Sequence, residues 1–285
     1  MAQSLRLPAP AKLNLMLHIT GRRADGYHLL QTVFQFIDLN DWLDFELIAD
    51  GSIRRTEGNS PVPASADIVL AAASLLQKRF EVSQGVGIGI EKCIPIGGGL
   101  GGGSSDAACC LLALNRLWEL ELSLSQLADI GLELGADVPV FVHGRAAWAG
   151  GVGEVLQSID IPEPIYLVID PQIHVSTANI FAAEELTRNC DPITIRAFLR
   201  GAGTNVCEPV VRNRHPQVGE AIDWLAQFGA ARMSGSGACV FIEMDSLAQA
   251  EIVKSQIPEP WAGYVAAATN FSPLHQQLGL LNRGC

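Results

Sequence analysis

The sequence predicts an α+β protein of two domains, residues 1–160 and 161–285, and three observations carry that reading. Apolar residues alternate with a period of two over 11–19 and again at Val86, Ile88 and Ile90, as strands require. Other stretches (65–80, 123–135, 218–228 and 247–255) read as helices. Between them, 161–164 carries Pro162 and Pro164 and a shift in composition, which marks a boundary in a chain of 285 residues, long enough for two ordinary domains.

The first strand sets Ala11, Leu13, Leu15, Leu17 and Ile19 on one face and Lys12, Asn14, Met16 and His18 on the other. That pattern predicts a half-buried strand with Lys12 and Asn14 side by side, and by itself it makes Lys12 a solvated strand lysine. Asp25-Gly26 signals a hairpin turn, with 30–37 as the returning strand. Tyr27 and His28, beside the turn, read as hairpin packing. Gly, Ser, Pro and Asn make 50–64 an exposed loop, and Ala71, Ala72, Ala73, Leu75 and Leu76 give 65–80 a broad apolar helical face.

The stretch that organises the chain is Pro95, Ile96, Gly97, Gly98, Gly99, Leu100, Gly101, Gly102, Gly103, Ser104 and Ser105. Its glycines allow positive φ and close approach of backbone to a ligand. A strand ended by Pro95 precedes it, and Ser104 and Ser105 are good N-cap residues for the helix that follows. A strand, a glycine loop and a helix start gather free N–H groups and the positive end of a helix dipole at one point, which suits phosphate. A Walker A loop would need a lysine where Gly103 stands. The dinucleotide spacing is matched by Gly97, Gly99 and Gly102, but the acids about twenty residues on, Glu119 and Glu121, fall at the end of the same helix. A flexible linker is rarely clamped between an apolar strand and a capped helix. The stretch reads as a phosphate cradle.

Ser123-x-x-Gln126 is a capping box opening a helix that Gly135 closes, and Asp137 follows before an apolar strand, either as a turn residue or as a functional acid. Beyond the boundary, 165–169 reads as a buried strand, 177–186 as a helix, 233–238 as a second glycine-serine turn, and 239–243 as a strand. A second such turn points to both loops lining one site.

Hydrophobic residues make up 48% of the chain and charged residues 17%, which excludes wholesale disorder. The balance of 19 basic against 30 acidic residues, −11 in all, argues against nucleic acid and anionic membrane surfaces as partners. Dipoles of the glycine loop, with a metal ion, then have to attract an anionic ligand locally. No apolar run reaches the length of a membrane span, and 1–12 lacks the order of a signal peptide. Seven cysteines without a Cys-x-x-Cys pair predict reduced thiols in a cytoplasmic protein.

Pro10-Ala11-Lys12-Leu13-Asn14-Leu15, the loop at 95–105 and Ser234-Gly235-Ser236-Gly237-Ala238 together resemble the galactokinase, homoserine kinase, mevalonate kinase and phosphomevalonate kinase (GHMP) superfamily. The stretches 21–28, 134–141 and 270–275 narrow the resemblance to its branch that acts on a cytidine diphosphate conjugate of methylerythritol, in non-mevalonate isoprenoid synthesis. The resemblance implies a two-domain fold with the active site in the inter-domain cleft. It implies ATP-dependent phosphorylation of the 2-hydroxyl of the methylerythritol part, with ATP and Mg²⁺ as cofactors and a homodimer left open. By similarity Asp137 accepts the hydroxyl proton, while Lys12 stabilises charge and holds Asp137 ionised. The loop residues bind ATP; Asn14, Tyr27, His28, Thr177 and Phe181 line the substrate pocket, with Tyr27 and Phe181 on the two faces of cytosine. No Mg²⁺ ligand is assigned. The chain departs from the family at Ala66-Asp67, where Asp-Asn is common, and at Asn205-Val206, where Asn-Asp is common. Homoserine-type and mevalonate-type kinases lack the Tyr-His pair, and a non-catalytic metabolite sensor on this fold would not need both Lys12 and Asp137.

Overall fold

The computed structural model describes residues 4–24 and 26–280. Asp25, half of the predicted turn, and Cys285 lie outside the described residues. The chain opens with a long antiparallel pair, β1 (Ser4–Arg22) and β2 (His28–Ile48), in which Lys12 faces Phe36 and Asn14 faces Phe34. Both strands run well beyond 11–19 and 30–37. Next come β3 (Ile53–Gly58), α1 (Ile68–Arg79) and β4 (Gly85–Glu91). The predicted loop at 50–64 thus contains a strand, which pairs in parallel with β4 alone at the sheet edge. Its residues, Ile-Arg-Arg-Thr-Glu-Gly, give no apolar alternation because little of this edge is covered.

Five elements follow on the N-terminal side: α2 (Gly102–Leu117), α3 (Leu124–Leu134), α4 (Val138–His143) and the paired strands β5 (Ala147–Gly150) and β6 (Val155–Ser158). The capping box of α3 forms as predicted, with Ser123 and Gln126 bonded reciprocally. The apolar run after Asp137 is a short helix and not a strand. Pro139 suits its first turn, and Val138, Val140, Phe141 and Val142 are buried all round. A run buried on every side shows no period that separates helix from strand.

The C-terminal side comprises β7 (Ile165–Asp170), α5 (Thr177–Phe181), α6 (Ile195–Phe198), α7 (Glu208–Arg214), α8 (Pro216–Leu225), β8 (Arg232–Met233), β9 (Val240–Met244), α9 (Leu247–Lys254), β10 (Ala262–Thr269) and α10 (Pro273–Leu278). The helix predicted over 177–186 stops at Phe181. Strand order is β3-β4-β2-β10-β7-β9-β8, and the two halves join where Ala268 and Thr269 of β10 pair with Ile37 and Phe36 of β2.

One strand feeds three clusters. Leu7 and Ala9 of β1 pack with Phe36, Leu76, Leu111 and Phe141 under α1–α4. Leu17 and Ile19 join Leu167, Val211, Leu225 and Ile242 on the C-terminal side. Between them, Ala11, Leu13, Leu15 and Met16 meet Leu100, Ile161, Tyr166 and Phe241. The other face is covered too: Lys12 is 3% exposed and Asn14 4%, so β1 is buried on both faces rather than half-buried. Its alternation reflects chemistry, not solvent. A buried lysine needs paired acceptors, and that need points to the site.

Candidate active site

The glycine loop runs into α2 through Gly101, whose backbone is left-handed (φ 74°) and serves as the N-cap. A Cβ there would stand 2.9 Å from Phe141 Cζ and 3.0 Å from Lys12 Cε, so glycine alone lets the loop pass under both. Ser104 and Ser105 are therefore not the caps that their type suggests; both lie inside the first turn and a half of the helix. The amide of Ser105 already donates to Gly101 O at 2.9 Å. Helix geometry leaves the N–H groups of Gly102, Gly103 and Ser104 without a partner inside the helix, at the positive end of its dipole. This is an anion site made of main chain.

The second glycine-serine turn braces the first. Ser234 Oγ donates to Gly99 O (2.9 Å), and Cys239 N donates to Gly98 O (3.0 Å). Asn205 in turn fixes that turn, its Nδ2 donating to Met233 O (2.8 Å) and Gly235 O (2.7 Å). Cβ atoms on Gly98 and Gly99 would collide with Cys239 and Ser234.

A single cavity of about 1130 Å³ opens over this junction. Lys12, Asn14, Tyr27, His28, Thr177 and Phe181 line it, as do Asp137 and every loop residue from Pro95 to Ser104. Ser105 does not: it is buried, and its Oγ has no hydrogen-bond partner among the described residues. Gly235 and Ser236 of the second turn line the same cavity, so the two loops share one site. Its walls come from both sides of 160.

At one end Lys12 Nζ lies 3.3 Å from Asp137 Oδ2, 3.1 Å from Gly99 O and within hydrogen-bond distance of Asn14 Oδ1. Two of the ammonium donors are thus hydrogen-bonded, and the Asp137 carboxylate pairs with the charge. The ammonium also sits 5.4 Å above the Phe34 ring. Asn14 is held by Thr32, to whose Oγ1 its Nδ2 donates at 2.9 Å. Asp137 occupies the N-cap position of α4 without capping it, so its carboxylate, about a third exposed, points at the cavity and not at the helix. The side chains brought together are 125 positions apart in the sequence (137 − 12).

At the other end His28 and Phe181 meet with ring centroids 5.4 Å apart, and Tyr27 stands exposed beside them. Burial, then the charges of Arg188 and Arg22, push the His28 imidazole below its ordinary range. Thr177 Oγ1 lies 2.7 Å from Ser236 Oγ, tying α5 to the second turn.

Sequence reasoning missed a buried cluster behind the phosphate end. Lys92 bridges Asp41 and Asp106, with Nζ 2.7 Å from Asp106 Oδ2. Burial pushes the Asp106 carboxyl upward, while Lys92 opposes the shift and Asp41 adds to it. Burial alone would lower Lys92, but its two carboxylate partners leave it raised. Among the described residues Asp106 Oδ1 has no hydrogen-bond partner, and both Lys92 and Asp106 line the cavity. The available signal was a lysine closing an apolar strand and an aspartate directly after Ser104-Ser105. Asp67, one of the departures, caps α1 by accepting from Val69 N (2.9 Å) and pairs with Arg55 at the cavity rim.

Two family models match this chain, GHMP kinases N terminal domain over residues 67–145 and GHMP kinases C terminal over 182–263. The chain belongs to the GHMP kinase family. The GHMP kinase is 58% identical over 267 residues to the 4-diphosphocytidyl-2-C-methyl-D-erythritol kinase of Nitrosococcus oceani, covering 94% of this chain and 95% of that one. It is 50% identical over 281 residues to the protein of the same name from Pseudomonas aeruginosa, covering 99% and 100%. A crystal structure of 4-(cytidine 5'-diphospho)-2C-methyl-D-erythritol kinase superposes with a TM-score of 0.81 at 32% identity, over 93% of this chain and 99% of that one. The Methanococcus jannaschii mevalonate kinase shares the fold, with a TM-score of 0.69 at 15% identity and coverage of 95% and 99%. As a GHMP kinase the chain is a phosphotransferase with an alcohol acceptor and ATP as co-substrate. Among the described residues no helix is long and apolar enough to cross a membrane.

Proposed function

We propose that this GHMP kinase transfers the γ-phosphoryl group of ATP to the 2-hydroxyl of the methylerythritol moiety of 4-diphosphocytidyl-2-C-methyl-D-erythritol, in the cytoplasm, within non-mevalonate isoprenoid synthesis. One observation carries the reading: a main-chain anion site and a Lys12–Asp137 pair share a cavity with an aromatic and imidazole end. The names of the relatives at 50–58% identity support it. In this reading residues 1–160 supply the phosphate loop and the lysine–aspartate pair, and residues 161–285 contribute Thr177, Phe181 and the second glycine turn.

Asp137 takes the proton of the acceptor hydroxyl as that oxygen bonds to the γ-phosphorus. The bond from the γ-phosphorus to the bridging oxygen breaks, and ADP leaves with the electron pair. Lys12 keeps the carboxylate oriented and offsets negative charge beside it. The amides of Gly102, Gly103 and Ser104 hold phosphate oxygens where charge accumulates, the role in which fixed donors contribute most. Tyr27 and Phe181 enclose the base, and His28 reads its edge. The donor set at the phosphate end fits Mg²⁺, which favours one or two carboxylates plus phosphate oxygens and water, and the unpartnered Asp106 Oδ1 is the carboxylate oxygen there. Mg²⁺ held by Asp106 would neutralise charge on the triphosphate.

A coupled assay of ADP release tests this reading. ADP should form only when ATP and the cytidyl substrate are both present, and homoserine or mevalonate should not replace the latter. ADP release indifferent to the cytidyl substrate, or faster with homoserine or mevalonate, contradicts it.

A further inference from the structure

The two rings at the base end belong to different elements, His28 to β2 and Phe181 to α5, and a side chain outside every motif ties them together. Arg188, seven residues after Phe181, donates from Nη2 to the carbonyls of Phe181 (3.0 Å) and Ala183 (2.5 Å) and from Nη1 to that of Leu186 (3.1 Å). Its Nε donates to His28 Nε2 at 3.1 Å. A guanidinium group has five N–H donors and no acceptor, so the nitrogen it meets must offer a lone pair. His28 Nε2 therefore carries no proton. The imidazole is neutral, and its one hydrogen sits on Nδ1.

We propose that Arg188 is a positioning residue: it locks His28 as the neutral Nδ1–H tautomer and, through the Phe181 carbonyl, holds both rings as one clamp whose imidazole donates to an acceptor edge of the substrate base. The inference rests on the cytidyl reading above and extends it to selectivity. Cytosine presents an acceptor at N3, whereas uracil carries a hydrogen there. A donor fixed at Nδ1 suits cytosine N3 and opposes uracil. A ring free to exchange tautomers would accept either base. Arg188 touches no reacting atom, so its loss acts on substrate KM and base choice and leaves kcat alone. The low affinity of the His28 ring for a second proton agrees with this arrangement.

Long-range proton–nitrogen correlation spectra of the full chain at neutral pH read the His28 tautomer directly. Wild type should show a protonated Nδ1 and an unprotonated Nε2. Arg188→Met should show mixed tautomers, a KM for the cytidyl substrate raised about tenfold, as expected for one weakened hydrogen bond to the base, and kcat and the KM for ATP within about twofold. The preference for CDP over UDP as inhibitors should narrow in the same variant. Arg188→Lys, which keeps a donor, should restore the tautomer and much of the affinity, and it stands in if the methionine variant does not fold. A wild-type His28 protonated on Nε2, or a methionine variant with tautomer and KM both unmoved, overturns the proposal. The spectrum is taken on the free enzyme, so it tests the lock separately; absence of cytidyl-dependent ADP release would instead remove the functional reading.

Discussion

The two ends of the cavity are built from different material. The phosphate end is main chain and buried charge: glycine amides at the start of α2, a lysine 3% exposed with two hydrogen-bond acceptors and a paired carboxylate, and a second turn hydrogen-bonded beneath the loop. The base end is side chain on short or exposed elements, with Tyr27 64% exposed at the tip of a hairpin and Phe181 closing a five-residue helix. The difference assigns the work. Groups that must meet a transferring phosphoryl group are fixed by the fold, because misplacement by about 1 Å can cost 10²-fold. Groups that recognise the base sit on a hairpin and a short helix, where a side chain, Arg188, supplies the support that the core supplies at the other end.

Asp137→Asn at the phosphate end should lower kcat by about 10²–10⁴-fold while substrate affinities hold within a few-fold, measured by steady-state kinetics and direct binding. A loss of affinity as large as the loss of turnover would break the division between the ends. Next in size, Gly101→Ala forces a side chain between Phe141 and Lys12 at positive φ, so kcat/KM for ATP should fall roughly 10²-fold and Tm should drop. An unaffected variant would mean that the loop is not held as tightly as its contacts indicate. At the base end, Tyr27→Ala should weaken binding of the cytidyl substrate by roughly 1–3 kcal/mol with kcat little changed; equal affinity would take Tyr27 out of base recognition. Smallest is the bridge between the ends. Thr177→Val removes the hydroxyl that meets Ser236, and calorimetry should register a loss of about 0.5–1.5 kcal/mol.

Legibility in the sequence followed the same divide. The loop at 95–105 announces itself because its function is written in backbone, and only glycine supplies that backbone. Its cap was misread for a related reason. Serine is the better cap by side chain, but the chain must turn left-handed at Gly101 to clear Phe141, and a contact 40 positions away is invisible locally (141 − 101). The alternation of β1 gave the strand and not its double burial, since Lys12 and Asn14 look like a wet face until the C-terminal half covers them. β3 escaped because an edge strand of Arg, Thr and Glu carries no apolar period, and β10 because alanines and glycine fill most of it. Arg188 and the Lys92–Asp41–Asp106 cluster fall in no motif stretch that includes their partners, so only the folded chain relates them.

A structure of the ternary complex with a non-hydrolysable ATP analogue and the cytidyl substrate tests the central claim most directly. The account predicts the triphosphate on the amides of Gly102, Gly103 and Ser104, with the acceptor 2-hydroxyl within hydrogen-bond reach, about 2.6–3.2 Å, of the Asp137 carboxylate. A triphosphate bound elsewhere in the cavity, or a hydroxyl facing away from Asp137, would contradict it.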